Sequence, residues 1–295
     1  MLHERAGAYW PSSSEMKGSL DEPLLISVGL KSRICFTSPL KGDKKKVEID
    51  GHDTVITCLA VYSGYFPTPR ERMAGSQEIL PFIVSGGEDN AILIWSIEKS
   101  ENIFKLDGHE FDVTALTVFE SSQPKVEIKK NEIPLGTTQS SRRATLNIIK
   151  EQVKNIKNKT PPECIDDPWI ISGSMDSTVR VWSIKNRKCI HVYRKNESNV
   201  NCVCSKDLPT GSIAVAGCED STIYVWQLGK DFQLLYTLIG HKDEIQSLVL
   251  HKVDTFDPVL ISGSWDLTIN VWSLKKRKVI KTFEGHEREI TAVTI

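Results

Sequence analysis

SGSWDLTINVW, residues Ser262 to Trp272, has three counterparts elsewhere in the chain. They are SGGEDNAILIW (Ser85 to Trp95), SGSMDSTVRVW (Ser172 to Trp182) and AGCEDSTIYVW (Ala216 to Trp226). The four align without a gap, and each places an Asp six residues before a Trp. A second signal, Gly-His, recurs at Gly51-His52, Gly108-His109, Gly240-His241 and Gly285-His286. Interlocked motifs in fixed order are the mark of a repeat architecture. Trp182 to Trp226 is 44 residues and Trp226 to Trp272 is 46, whereas Trp95 to Trp182 is 87. Nothing between Trp95 and Trp182 resembles another copy, so an insertion explains the long interval.

Each unit reads as four short strands. In the last one they are Glu244–Leu250, Pro258–Ser262, Thr268–Trp272 and Lys278–Phe283, β-branched or aromatic runs divided by Gly, Asp, Asn or Lys. Ser-Gly-x-x-Asp is turn chemistry, because Asp bonds nearby backbone amides and Gly relieves a tight backbone. The fourth runs, such as KCIHVY and KVIKTF, carry Lys or His among apolar residues, which discourages edge-to-edge pairing. Units are expected at about 51–106, 108–193, 196–238 and 240–283. A degenerate unit over 24–50 supplies only three strands, Leu24–Ser27, Arg33–Thr37 and Val47–Ile49. A further strand is predicted at 289–295, after Gly285-His286, and residues 1–21 are expected to be a flexible N-terminal segment. That last strand either completes the first unit or begins another.

Composition narrows the function classes. Of the 295 residues, 40% are hydrophobic and 25% charged, the proportions of a globular protein that fills a core. Lys plus Arg number 37 against 38 Asp plus Glu, so no global field steers the chain to nucleic acid or an anionic membrane. No window approaches the roughly 18 apolar residues of a spanning helix, and a cytoplasmic or nuclear, intracellular location is expected. The seven cysteines form no CxxC pair and no zinc-like spacing with His, so neither a metal nor another cofactor is expected. There is no GxxxxGK[ST], HExxH or GxSxG.

With period, Gly-His and terminal Trp in hand, the chain resembles the WD-repeat family of β-propellers, whose blades are four-stranded sheets around a channel. The resemblance covers 22–295, apart from an insertion at 121–168. Trp-Asp itself stands only in the turn at Trp265-Asp266; the third strands end in Trp-Ser at Trp95, Trp182 and Trp272, and in Trp-Gln at Trp226. The implied fold is all-β, with four complete blades and a fifth made from, or interrupted at, the chain termini. The resemblance also implies three buried hydrogen-bonded tetrads: His52/Ser85/Asp89/Trp95, His109/Ser172/Asp176/Trp182 and His241/Ser262/Asp266/Trp272. Each contains a Ser, a His and an Asp, the elements of a hydrolase triad. A catalytic site needs one activated serine and a shaped cavity, not three copies, so no catalytic residue and no enzyme is expected. The unit ending at Trp226 has Arg194-Lys195-Asn196 for Gly-His and Ala216 for Ser, and is expected to be held by packing alone.

Two places are candidates for partners. Glu88, Met175, Glu219 and Trp265 each precede a turn Asp, on a rim that receives peptides in related propellers. On the opposite face, Tyr62–Ile79 and Ser121–Pro168 lengthen two first-to-second-strand loops. Within the second, RRATLNIIKEQVKNIKNK (142–159) places Leu146, Ile149, Val153 and Ile156 on one helical stripe, with Arg142, Arg143, Lys150 and Lys154 among its cations. It reads as a basic amphipathic helix for a partner groove, acidic surface or membrane interface, as a lid on its own propeller, or as a disordered tether. The expected function is a non-catalytic scaffold or adaptor in a multi-protein complex. The alternative is a reader of a specific peptide, or substrate adaptor, at the rim near Trp265. Partners are therefore proteins or peptides and not a small-molecule substrate; nucleic acid is disfavoured, lacking stacking aromatics beside the basic run.

Overall fold

The computed structural model describes residues 25–29, 33–37, 47–62, 82–96, 101–119, 167–194, 198–208, 210–229, 231–251 and 257–294. The N-terminal segment and the predicted helix at 142–159 lie outside them, as does nearly all of both long loops. Nineteen strands are present in the described residues. The first sheet has three: β1 (Leu25–Gly29), β2 (Arg33–Thr37) and β3 (Val47–Asp50). Four sheets of four strands follow. They are β4 (Ile56–Tyr62), β5 (Phe82–Gly87), β6 (Ile92–Ser96) and β7 (Glu101–Leu106); then β8 (Val113–Phe119), β9 (Trp169–Ser174), β10 (Val179–Ser183) and β11 (Lys188–Tyr193). Next come β12 (Val200–Leu208), β13 (Gly211–Cys218), β14 (Thr222–Gln227) and β15 (Leu234–Ile239). The last sheet is β16 (Ile245–His251), β17 (Val259–Ser264), β18 (Ile269–Ser273) and β19 (Lys278–Phe283). All ladders are antiparallel between consecutive strands, the meander of a β-propeller blade.

Register repeats from blade to blade. Trp95, Trp182, Trp226 and Trp272 face Ile83, Ile170, Ala214 and Leu260 across the second-to-third-strand ladder. On its other side every one of these third strands is bulged immediately before the Trp. Each first strand is bulged near its start, as between Ile56 and Cys58. A bulge increases local twist, and a strongly twisted blade can pack on a neighbour through both faces.

The core lies between blades. Val84, Ile92 and Ile94 of one blade meet Ile170, Trp182 and Ile184 of the next. Val181 and Tyr193 meet Ala214, Tyr224 and Trp226; Val215, Ile223 and Val225 meet Ile245, Leu260 and Trp272. Ile34 of the three-stranded sheet packs with Ile56, Ile83, Leu93 and Trp95. The first strands β4, β8, β12 and β16 are successive neighbours, which makes them the inner strands around the channel.

Two departures concern the last blade. Leu106, Tyr193 and Leu238, at the ends of β7, β11 and β15, are 2%, 2% and 1% exposed, but the equivalent Phe283 is 46% exposed. The face covered by a following blade elsewhere is therefore open here among the described residues. The strand predicted at 289–295 is also not formed in its described part. Ile290 occupies the start-of-strand position, buried against Gly263, but its N–H donates to Ser264 O at 3.2 Å and that of Val293 to Ser247 Oγ at 3.0 Å. These bonds go to the preceding blade, and with no second strand alongside there is no ladder. β1, for its part, pairs with β2 and with no other described strand.

Candidate functional site: the turn face of the propeller

Three Gly-His loops are tied to their blades by the same chain of hydrogen bonds. In the first, Trp95 Nε1 donates to Ser85 Oγ at 2.7 Å, Ser85 Oγ lies 2.7 Å from His52 Nε2, and His52 Nδ1 lies 2.8 Å from Asp89. In the second, Trp182, Ser172, His109 and Asp176 are linked at 2.8, 2.6 and 2.7 Å. In the third, Trp272, Ser262, His241 and Asp266 are linked at 2.8, 2.6 and 2.8 Å. A carboxylate only accepts, so His Nδ1 donates to it. With the ring neutral, Nε2 accepts the serine proton, while the serine oxygen accepts the indole N–H. Every donor in the chain has an acceptor, which is what a buried polar network requires.

The same Asp ties down the surrounding backbone. Asp266 accepts the N–H groups of Lys242 at 2.9 Å and Thr268 at 2.9 Å, and the Thr268 hydroxyl at 2.6 Å. Asp176 repeats this with Glu110, at 3.2 Å, and Thr178. Glycine is required in the loop because the backbone lies on the indole: a Cβ on Gly51 would overlap the Trp95 ring. Burial pushes the His109 ring below the usual histidine value, against the Asp176 hydrogen bond. Burial alone would raise the Asp266 carboxyl, but hydrogen bonds from Thr268, Lys242 and His241 hold it down at about 2. Ser85, Ser172 and Ser262 are 0% exposed, so no substrate carbonyl reaches them. Their oxygens accept an indole proton instead.

The third four-stranded blade is built differently, and packing alone does not hold it. The Tyr224 hydroxyl donates to Asp220 at 3.0 Å and the Asp220 N–H to Ser198 Oγ at 3.0 Å. Tyr224 stacks on Trp226 with 15° between the rings. An aromatic two residues before the Trp, where the other blades carry Leu93, Arg180 and Asn270, was the signal for this. Trp226 Nε1 remains buried with no acceptor among the described residues, the direct consequence of alanine at 216. The Trp-Ser endings also find a reason. Ser273 Oγ donates to Asp257 at 2.6 Å, and Ser183 likewise pairs with Asp167. Both carboxylates also accept a backbone N–H, from Lys275 and Lys185. Asp-Pro just before the second strand (Asp167-Pro168, Asp257-Pro258) was a readable sign of this device.

The turns that the network positions form the candidate site. Glu88, Met175, Glu219 and Trp265 stand at equivalent positions: each N–H donates at 3.0 Å to the carbonyl just before an inner strand, of Val55, Asp112, Asn199 and Glu244 respectively. That places all four at the channel mouth on one face. Met175 is 45% and Trp265 40% exposed, while Glu88 and Glu219 are exposed. Burial raises the Glu244 carboxyl above its usual value; the Asn201 amide opposes this, and the negative Glu219 and Asp243 add to it. Arg142, Arg143, Leu146, Ile149, Lys150, Val153, Lys154 and Ile156 lie outside the described residues. Among the described residues no cluster of His, Cys, Asp and Glu is placed to hold a metal, and no helix is long and apolar enough to cross a membrane.

Repeated four-stranded blades with a His-Ser-Asp-Trp network define a WD-type propeller. The chain matches the family model described as WD domain, G-beta repeat, over residues 43–96, 158–183, 187–227 and 232–273, and it belongs to that family. It is 28% identical over 160 residues to WD repeat-containing protein pop2 of Schizosaccharomyces pombe, covering 44% of this chain and 22% of that protein. Similarity to nuclear distribution protein nudF of Aspergillus niger is 22% over 240 residues, 74% of this chain and 53% of the relative. Cell division control protein 4 of Candida albicans is 26% identical over 267 residues, 82% of this chain and 36% of the relative. The chain thus spans about a fifth to about half the length of these relatives.

Three outcomes follow for stability. His109→Ala or Asp176→Asn strands buried partners, at about 1–3 kcal/mol per group, and lowers the thermal midpoint by several degrees in scanning fluorimetry. Ala216→Ser gives Trp226 its acceptor and raises the midpoint, by roughly 1 kcal/mol; an unchanged or lower midpoint contradicts the assignment. Because the folded His109 value is depressed below 6.5, its contribution is complete above that pH and is lost as pH falls through it. The native chain therefore melts lower at pH 5 than at pH 7.5, and a His109 variant shows a smaller difference; Asp266 adds a further loss as pH falls from 3.8 toward about 2.

Proposed function

We propose that this propeller is a non-catalytic scaffold or adaptor of an intracellular, cytoplasmic or nuclear protein complex, and that it engages a partner peptide at the channel mouth. The observation that carries this is the uniform backbone of the four turns bearing unlike side chains: Glu88, Met175, Glu219 and Trp265 share one hydrogen-bonded geometry. A rigid frame with variable exposed residues is the arrangement of a recognition surface, whereas chemistry needs a reachable activated group. Exposed Trp and Met suit this role, since aromatic and Met side chains are enriched at interface cores. Membership of the WD family agrees with partner binding, although fold alone does not assign it.

Capture experiments with the full chain test the reading. Trp265→Ala with Met175→Ala is expected to lose a partner retained by the native protein, with a smaller drop in thermal midpoint than His109→Ala because neither side chain belongs to the buried network. Removing 142–159 is the comparison. If partners survive the rim substitutions but vanish with that deletion, the insertion and not the rim is the docking element.

A further inference from the structure

The four turns differ most in the last blade. They read Glu88-Asp89-Asn90, Met175-Asp176-Ser177, Glu219-Asp220-Ser221 and Trp265-Asp266-Leu267. The third residue of each is left-handed, with φ of 62°, 59°, 63° and 68°. Asn tolerates that conformation through local hydrogen bonding, and the short polar serines crowd it little, but an apolar branched side chain has no such compensation. Leu267 is 37% exposed beside the 40% exposed Trp265, so part of the apolar surface of both stays open to solvent. A local rule broken to hold a partly open apolar side chain beside an exposed tryptophan points to a surface kept for contact.

Charge decides what kind of contact. The Trp265 N–H is bonded to the carbonyl of Glu244, whose carboxylate accepts from Asn201 at 3.2 Å and Gln246 at 3.0 Å. Glu219, on the neighbouring blade, forms no ion pair among the described residues, and it and Asp243 act on Glu244 as like charges. Lys242, in the adjoining loop, is exposed and gives its backbone N–H to Asp266. Glu219, Asp243 and Glu244 against the one ammonium of Lys242 leave the surface beside the two apolar side chains net acidic, with carboxylates that repel one another.

We propose that the Trp265-Asp266-Leu267 turn, with Glu219 and Glu244 beside it, receives a short segment of a partner protein carrying Lys or Arg next to an apolar residue. This rests on the rim reading above and names its ligand class. The apolar residue covers Trp265 and Leu267. The cation pairs with Glu219 and Glu244 or lies over the indole face, relieving the repulsion between the carboxylates. An acidic or phosphorylated segment meets like charge and is rejected.

Fluorescence anisotropy on the full chain tests this with three labelled synthetic peptides of one length. The first combines arginine and leucine, the second replaces arginine with glutamate, and the third replaces it with phosphoserine. Only the first is expected to bind, with affinity falling as salt rises. Glu219→Gln with Glu244→Gln, and separately Trp265→Ala, should each weaken it about tenfold or more, with a smaller drop in thermal midpoint than His109→Ala. Preference for the acidic or phosphorylated peptide, binding of none, or indifference to these substitutions overturns the proposal. The rim reading fails separately: if rim substitutions abolish partner capture while charge preference is missing or reversed, the rim stands and the cationic class falls.

Discussion

Each of the three intact blades depends on one directional constraint: a buried indole N–H must find an acceptor, and the serine on the adjacent strand is placed to be it. Once Ser85, Ser172 or Ser262 accepts that proton, its own hydrogen is turned toward a histidine, and the histidine's other nitrogen must then face a carboxylate. Nothing in this chain can be reversed, because indole has only a donor and carboxylate only acceptors. Third strand, second strand, turn and Gly-His loop are thereby locked into one geometry. The loop in turn carries the chain into the inner strand of the same blade, so the network also fixes where the channel mouth lies.

The same residue types in a hydrolase would be catalytic, and the difference is one of access and direction. A nucleophilic serine donates to its histidine and keeps a lone pair open to substrate. Here the open position is filled by tryptophan, and the side chain is sealed. Repetition of the motif in the sequence already argued for this; the indole hydrogen bond supplies the physical reason.

Legibility in the sequence followed periodicity. The Asp-to-Trp spacing and Gly-His marked four blades, and the strand limits fell within a residue or two because turn residues bound each run. Features that compensate for a lost motif were harder to see. Tyr224 takes over the Asp220 carboxylate because the Gly-His loop and the serine are both replaced, and the aromatic at that repeat position is a sign that gains meaning only beside those two losses. Asp167 and Asp257 serve a serine sixteen residues later in the chain, a pairing that only the antiparallel ladder brings together. The terminal segment has strand composition, but among the described residues no second strand lies alongside it. Strand propensity describes a fit to a pleated surface and does not supply the surface.

The rim is where constraint and freedom separate. One position earlier than each turn Asp, the main chain is bonded and the side chain is released to solvent, so Glu88, Met175, Glu219 and Trp265 can differ without disturbing the blade. One position later the backbone is left-handed, and there freedom is smaller: Asn90, Ser177 and Ser221 suit it, whereas Leu267 does not. Variation at the first position leaves the blade undisturbed, because the main chain and not the side chain makes the bond there. A poorly suited residue at the second position says more, because it opposes local preference, leaves apolar surface open to solvent, and stands on the turn that already bears the tryptophan. The last blade thus sets two exposed apolar side chains, Trp265 and Leu267, on one turn of the mouth, and the frame built by the network holds that turn in place.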